Sequence, residues 1–166
     1  MKVTVAGVDF SNPLIAASGT FGFGREYMEF YPLSTLGGIS CKGITLHERA
    51  GNPPPRIAET PGGMLNAVGL QNPGVDYFIE NDLPWLKTQG TTIIANIAGN
   101  TYEDYCAMAE KLSDTDVDML ELNISCPNVK EGGVQFGTSC TGVEEITKQV
   151  RAHCKAADGE AVPECQ

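Results

Sequence analysis

The chain has 166 residues, and its 21 Asp and Glu outnumber its 11 Lys and Arg, so its formal net charge is −10 at pH 7. Hydrophobic residues make up 42% and charged residues 19%, a balance that supports a packed core and excludes a disordered or fibrous chain. Nucleic-acid binding requires concentrated Lys and Arg, and the sequence has no basic run of five residues. We therefore expect one ordinary domain, or part of a larger one, with no nucleic-acid partner.

The N-terminal segment has neither the apolar stretch nor the cleavage site of a secretory signal, and no run approaches the roughly 18 apolar residues of a membrane span. We expect a cytoplasmic protein that does not enter a membrane. The six cysteines include no C-x-x-C pair, so we expect reduced thiols that bind neither zinc nor an iron–sulfur cluster. His47 and His153 have no carboxylate at metal-ligand spacing, and no metal site is predicted.

Short apolar segments alternate with helical patterns along the chain. Strands rich in Ile, Val or Leu, typical of a parallel sheet, are predicted at residues 13–17, 38–44, 92–97 and 117–124. Apolar periodicity predicts helices over about 75–86, 101–112 and 143–154. The second of these helices begins with a capping-box pair, Thr101 and Asp104. A small strand or hairpin is expected within residues 1–8, outside the main sheet.

This alternation predicts a parallel α/β fold, either a barrel or an open doubly wound sheet. Gly19, Gly22 and Gly24 are spaced i, i+3, i+5, whereas a dinucleotide-binding turn needs i, i+2, i+5, so the open Rossmann sheet is disfavoured. Polar residues instead follow the carboxyl end of each predicted strand, which is where (β/α)8 barrels build their active sites. The sequence therefore favours the (β/α)8 barrel.

The segment Asn123-Ile-Ser-Cys-Pro-Asn128 follows the last predicted strand and is the strongest candidate for chemistry. Pro127 stops the strand, which leaves Cys126 in a loop between two asparagine amides. Such amides can bind a planar ring that carries both carbonyl and N–H groups. Cys126 is then a nucleophile or a base, and the alternative is an ordinary loop cysteine, because only accessible thiolates react.

Lys42 interrupts the apolar strand predicted at 38–44, where a buried ammonium needs an anionic partner. We expect it to point into a pocket, the alternative being an ammonium that reaches solvent at the strand end. Cys41 should point to the opposite face and pack in the core. Asn66 lies in a long glycine-rich loop, a feature that is usually functional, the alternative being an ordinary surface loop. Asn96 could bind a ligand ring or merely satisfy backbone groups.

Three segments together resemble the dihydroorotate dehydrogenase family: NPPPRIAETPGGMLNAVGLQNPG at 52–74, IIANIAG at 93–99 and ELNISCPNVKEGGVQFGT at 121–138. The resemblance covers roughly residues 1–154. The GGVQFGT continuation is similar to the catalytic subunit of the NAD-linked class 1B enzymes, and the fumarate-using class 1A is the nearest alternative. The resemblance implies a (β/α)8 barrel that binds FMN and oxidises dihydroorotate to orotate in pyrimidine biosynthesis.

The resemblance also implies roles for individual residues. Cys126 would be the base that removes a proton from C5 of dihydroorotate while hydride leaves C6 for N5 of FMN. The substrate would be held by Lys42, Asn66, Val68, Gly69, Leu70, Asn123 and Asn128. The FMN would be lined by Ala17, Ser18, Gly19, Lys42, Gly43, Asn96 and Asn123. The implied partners are a second copy of the chain and an electron-transfer subunit that carries FAD and a [2Fe–2S] cluster.

A barrel of this type typically needs about 250 residues, and four strand–helix units are predicted here. We expect residues 1–154 to form the first half of a barrel and residues 155–166 to be an atypical tail, the product of truncation or a frame shift. Isolated, such a half barrel should bind FMN weakly and be inactive, since its edge strands are unpaired. The alternatives are a catalytically silent interaction module, or a related flavin-dependent pyrimidine oxidoreductase. Lys42 and the Asn66 loop favour the carboxylated substrate over this last alternative.

Overall fold

The structure is a computed structural model that describes residues 1–124 and 134–154. Its centre is a parallel sheet of four strands: β3 (Ile15–Ala16), β4 (Gly38–Ser40), β7 (Thr92–Ile97) and β8 (Met119–Leu122). They lie side by side in the sheet in the order in which they occur along the chain. Ile39 pairs with Ile93, and Asn96 pairs with Glu121. The predicted parallel α/β fold and all four predicted strands are confirmed, although three of the strands are shorter than predicted.

Two antiparallel hairpins lie outside this sheet. The first pairs β1 (Val3–Val5) with β2 (Val8–Phe10), as the N-terminal prediction allowed. The second pairs β5 (Ile57–Thr60) with β6 (Gly63–Asn66), in a region predicted to be only a loop, and that prediction is wrong. Every residue of β5 and β6 is exposed, so neither strand has the alternation of buried and exposed residues that would have revealed it.

The helices cover one face of the sheet. The first helical segment begins with α1 (Val75–Tyr77), continues as a π-helical turn at Phe78–Asp82 and ends with α2 (Leu83–Lys87). Next comes α3 (Tyr102–Ser113), where Thr101 and Asp104 form the predicted capping box. Beyond β8 are α4 (Val134–Gly137) and α5 (Cys140–His153), and α5 begins three residues before its predicted start because Ser139 caps it through the Gly142 N–H.

Alternation along the strands separates an apolar face from a polar one. The side chains of Ile39, Cys41, Ile93, Ala95 and Ile97 pack in the main core, together with residues of the helices. The opposite face carries Ser40, Asn96 and Glu121, which hydrogen-bond one another. Of the helices in the described ranges, none has both the length and the apolar character needed to cross a membrane.

Cys41 is fully buried in the core, as predicted, and burial, with the negative charges of Asp82 and Glu121, raises the pKa of its thiol from 9.0 to about 12. Between these two values the folded chain keeps a proton that the unfolded chain loses. The free energy of unfolding should therefore fall as pH rises from 9 towards 12.

We expect Cys41→Ala to reduce this loss of stability at high pH, measured by urea unfolding at pH 8 and pH 10.5. The matched control is Cys140→Ala, which alters an exposed cysteine and should leave the pH dependence as in the original chain. An equal pH dependence in all three proteins would contradict the prediction.

Candidate active site

The carboxyl ends of β4, β7 and β8 meet around Gly43. A Cβ atom at Gly43 would lie 2.9 Å from Leu70 Cδ1, 3.1 Å from Asn96 Oδ1 and 3.5 Å from Asn123 Nδ2. The absence of a side chain at Gly43 thus lets Leu70 and the two amides approach the backbone closely. Four of the residues predicted to bind ligands, which are far apart in sequence, come together at this edge.

The amides of Asn96 and Asn123 belong to a chain of hydrogen bonds. Asn123 Nδ2 donates to Asn96 Oδ1 at 3.1 Å, and Asn96 Nδ2 donates to Glu121 Oε1. Ser40 Oγ donates to the other carboxylate oxygen, Glu121 Oε2, at 2.9 Å. Sequence reasoning missed Ser40 and Glu121, although both are polar residues within otherwise apolar strands, the same signal that singled out Lys42.

Asn72 organises the loop that brings Leu70 to the site, and sequence reasoning missed it as well. It is buried, and its Oδ1 accepts from the Thr45 and Gly74 backbone N–H groups, both at 3.0 Å. Its Nδ2 donates to Leu70 O at 2.9 Å. Gly69 and Leu70 have φ of +75° and +54°, a left-handed conformation that is costly for leucine and that this hydrogen bonding supports.

Lys42 lies two residues beyond β4, so the prediction that it interrupts a longer strand is wrong. Beyond Ser40, the Cys41 N–H donates to Ile94 O at 2.9 Å and an isolated bridge joins Ile44 to Ile97. Lys42 is half-buried, and its backbone N–H donates to Gly22 O at 2.9 Å. Its ammonium forms no ion pair with any residue in the described part of the chain. It is therefore available for an anionic ligand.

β3 is the remaining strand of the sheet, and the loop that follows it lies at the same carboxyl edge. Ala17 and Gly19 are exposed and Ser18 is half-buried, in a turn where Thr20 Oγ1 donates to Ala17 O at 3.2 Å. This loop continues through Gly22, the residue that accepts from Lys42. A hollow of about 460 Å³ in the loop is lined by Thr20, Phe21, Gly22, Glu26, Tyr27 and Phe30.

The remaining predicted site residues are only partly placed. Cys126 and Asn128 lie outside the described residues. Asn66, the last residue of β6, is exposed, and no hydrogen bond in the described ranges joins its side chain to the two amides. Val68 is half-buried, and its carbonyl accepts from Asn52 N–H at 3.1 Å. No cluster of metal-ligating side chains occurs among the described residues.

A parallel sheet whose neighbouring strands follow chain order, with helices on one face and polar side chains at its carboxyl edge, is typical of part of an α/β barrel. Residues 1–161 match the family model described as dihydroorotate dehydrogenase, and the chain belongs to the dihydroorotate dehydrogenase family.

Two relatives, both called "Dihydroorotate dehydrogenase B (NAD(+)), catalytic subunit", illustrate the match. The chain is 59% identical over 154 residues to the protein of Petrotoga mobilis, and 61% identical over 155 residues to that of Alkaliphilus metalliredigens. Each alignment covers 93% of this chain and 51% of the relative. The chain thus spans about half the length of these curated relatives.

A solved structure supports the fold. The crystal structure of "DHODH in complex with ferulenol from Eimeria tenella" matches with a TM-score of 0.68 at 21% identity. The match covers 92% of this chain and 43% of that one.

Replacing Asn72 by Asp should destabilise the Leu70 loop. The donor that reaches Leu70 O becomes an acceptor, so two oxygens face each other in a buried position, at a cost of about 1–3 kcal/mol in the free energy of unfolding. Urea unfolding measures this cost. Asn81→Asp makes the same change at an exposed helical position and should cost no more than about 0.5 kcal/mol. Equal costs for the two variants would contradict the role of Asn72.

Proposed function

We propose that this chain supplies the first half of the active site of an enzyme that oxidises dihydroorotate to orotate. The observation that carries the proposal is the meeting of Gly43, Leu70, Asn96 and Asn123 at one edge of a parallel sheet, in a chain of this family. Amides that offer both donors and acceptors suit a ring with alternating carbonyl and N–H groups. Dihydroorotate has such a ring and also a carboxylate.

Lys42 is the proposed partner of that carboxylate. Its ammonium is half-buried and has no counter-ion among the described residues, so an anion would offset its desolvation. Asn66, Asn123 and Asn128 would hold the ring through their amides. The backbone of Val68, Gly69 and Leu70 would complete the pocket, and Asn72 fixes the conformation of that backbone.

The residues at the edge of the sheet also fit FMN. The amides of Asn96 and Asn123 can pair with the carbonyl and N–H groups of its ring, and Gly43 leaves room for close approach. Ala17, Ser18, Gly19 and Lys42 would complete the FMN site. When bound, FMN supplies the acceptor for the hydride that leaves C6 of the substrate.

Cys126 is the proposed base. Its thiolate would take the proton from C5 of dihydroorotate, so that the departure of proton and hydride leaves the C5–C6 double bond of orotate. An ordinary cysteine has a pKa of about 8.5 and is mostly protonated at neutral pH. The rate should therefore rise with pH until the thiol is ionised.

The names of the relatives favour an NAD-linked enzyme over a fumarate-using one, and the term "catalytic subunit" supports a partner that carries electrons away. We propose that this partner holds FAD and a [2Fe–2S] cluster, that the complete catalytic subunit forms a homodimer, and that the complex is cytoplasmic.

We further propose that residues 1–154 are the first four strand–helix units of a barrel, with 155–166 as a separate tail. Further strands would then pair with β3 and β8, the two edge strands of the sheet.

Cys126→Ser should lower dihydroorotate oxidation by at least about 100-fold at pH 7 in the full-length enzyme, because serine is a far weaker base. The rate is followed as orotate formation from pH 6 to pH 10, and partial recovery is expected at high pH. Cys140→Ser, at an exposed position on α5, is the matched control and should be fully active. Activity near that of the unchanged enzyme in Cys126→Ser at pH 7 would remove Cys126 from the mechanism.

Lys42→Met should raise KM for dihydroorotate at least about tenfold, since a charge-assisted hydrogen bond to the carboxylate is lost. Steady-state kinetics in the full-length enzyme measure the change. Lys87→Met removes a lysine that pairs with Asp118 on the surface, and it should leave KM within about twofold. An unchanged KM in Lys42→Met would argue against a carboxylated substrate at this position.

A further inference from the structure

Glu121 is a carboxylate on the polar face of the sheet, directly next to the amides of the site. It is half-buried, and both of its oxygens are engaged, one by Asn96 Nδ2 and the other by Ser40 Oγ. A negative charge in such a position needs these hydrogen bonds to offset its desolvation. Glu121 itself is not among the residues proposed to touch substrate or FMN.

The charge dictates the direction of the hydrogen-bond chain. A carboxylate has only acceptor atoms, so Asn96 must turn its NH2 group towards Glu121. The Asn96 carbonyl oxygen then faces Asn123, which must in turn donate its own NH2 group, at 3.1 Å. The two ends of an amide have nearly the same shape, so the carboxylate decides which end points where.

The backbone of Asn123 is held independently. Its N–H donates to Ile97 O at 2.8 Å, and its carbonyl accepts from Tyr105 Oη at 2.7 Å. The remaining freedom of the residue is therefore the orientation of its amide. No residue in the described ranges donates to Asn123 Oδ1, so this oxygen is available as an acceptor.

We propose that Glu121 is a positioning residue that fixes the polarity of the Glu121–Asn96–Asn123 chain, so that Asn123 turns its Nδ2 towards Asn96 and leaves its acceptor, Oδ1, for a ligand. The matching ligand chemistry is a ring N–H flanked by a carbonyl. This inference rests on the proposed function and deepens it, because both a dioxopyrimidine acid and the FMN ring carry such a group.

The first experiment reverses the polarity without any ligand. Asn123→Asp puts a carboxylate against Asn96 Oδ1, and in the full-length protein it should lower Tm by roughly 4–8 °C. Adding Glu121→Gln moves the negative charge from 121 to 123. Asn96 can then turn over, donating to Asp and accepting from Gln, so the double variant should recover at least half of the lost Tm.

The matched control combines Asn123→Asp with Glu144→Gln, which removes an exposed charge on α5 that pairs with Lys148. This pair should show no recovery. If Asn123→Asp does not fold at all, folding of the double variant with Glu121→Gln is itself the recovery. Equal Tm values for the two double variants, or two unfolded double variants, would overturn the proposal whether or not the chain binds a ligand.

The second experiment identifies which ring meets Asn123. Dissociation constants are measured by flavin fluorescence and absorbance for FMN, 3-methyl-FMN, orotate and its two N-methyl derivatives. The N-methylated form of the ring that meets Asn123 should bind at least tenfold more weakly. Glu121→Gln should shrink this penalty to about threefold, because the Asn123 amide can then turn over and place Nδ2, a donor to the neighbouring carbonyl, where Oδ1 was.

An undiminished penalty in Glu121→Gln would overturn the polarity argument. Absence of any FMN or orotate binding in the unchanged protein would instead reject the proposed function, and the Tm comparison would still decide the role of Glu121.

Discussion

Parallel pairing of four strands, arranged in the sheet in their order along the chain, is the constraint on which the rest of the structure depends. Because β3, β4, β7 and β8 run in the same direction, each strand delivers the residues that follow it to the same edge. Residues as distant in sequence as Ser18 and Asn123 therefore lie along one edge of the sheet. The helices that connect the strands pack against the apolar face of the sheet. The apolar face supplies the packing that stabilises the fold, so polar side chains can occupy the other face.

Two sets of hydrogen bonds hold these polar groups in place. One set starts from the charge of Glu121, and the other joins the side chain of Asn72 to backbone groups. Glu121 orients the amides of Asn96 and Asn123, while Asn72 ties the Leu70 backbone to Thr45, just beyond Gly43. Neither Glu121 nor Asn72 needs to touch a ligand. Their hydrogen bonds remove conformational freedom before a ligand arrives, which lowers the entropic cost of binding.

Much of this arrangement could be predicted from the sequence, and the exceptions have physical causes. The four strands and the capped helix α3 have local signatures, namely apolar runs and the Thr101 and Asp104 spacing. The β5–β6 hairpin buries nothing, so it leaves no periodic pattern. Lys42 looked like part of a strand because apolar residues continue through Ile44, whereas β4 ends at Ser40 and Ile44 forms only an isolated bridge. The roles of Asn72 and Glu121 arise from contacts between distant segments, which single-sequence patterns do not encode.

The way hairpin β5–β6 is anchored has an evolutionary consequence. Its base is tied to the preceding loop, where Asn52 Nδ2 donates to Ala67 O at 2.9 Å and Arg49 and Asn72 form a two-way backbone bridge. Its tip, at Pro61 and Gly62, is exposed and sits beyond these ties. Changes in the length or composition of the tip should therefore leave the backbone of Leu70 and its hydrogen bond to Asn72 in place, so descendants of this chain can diverge at the tip without altering that part of the sheet edge.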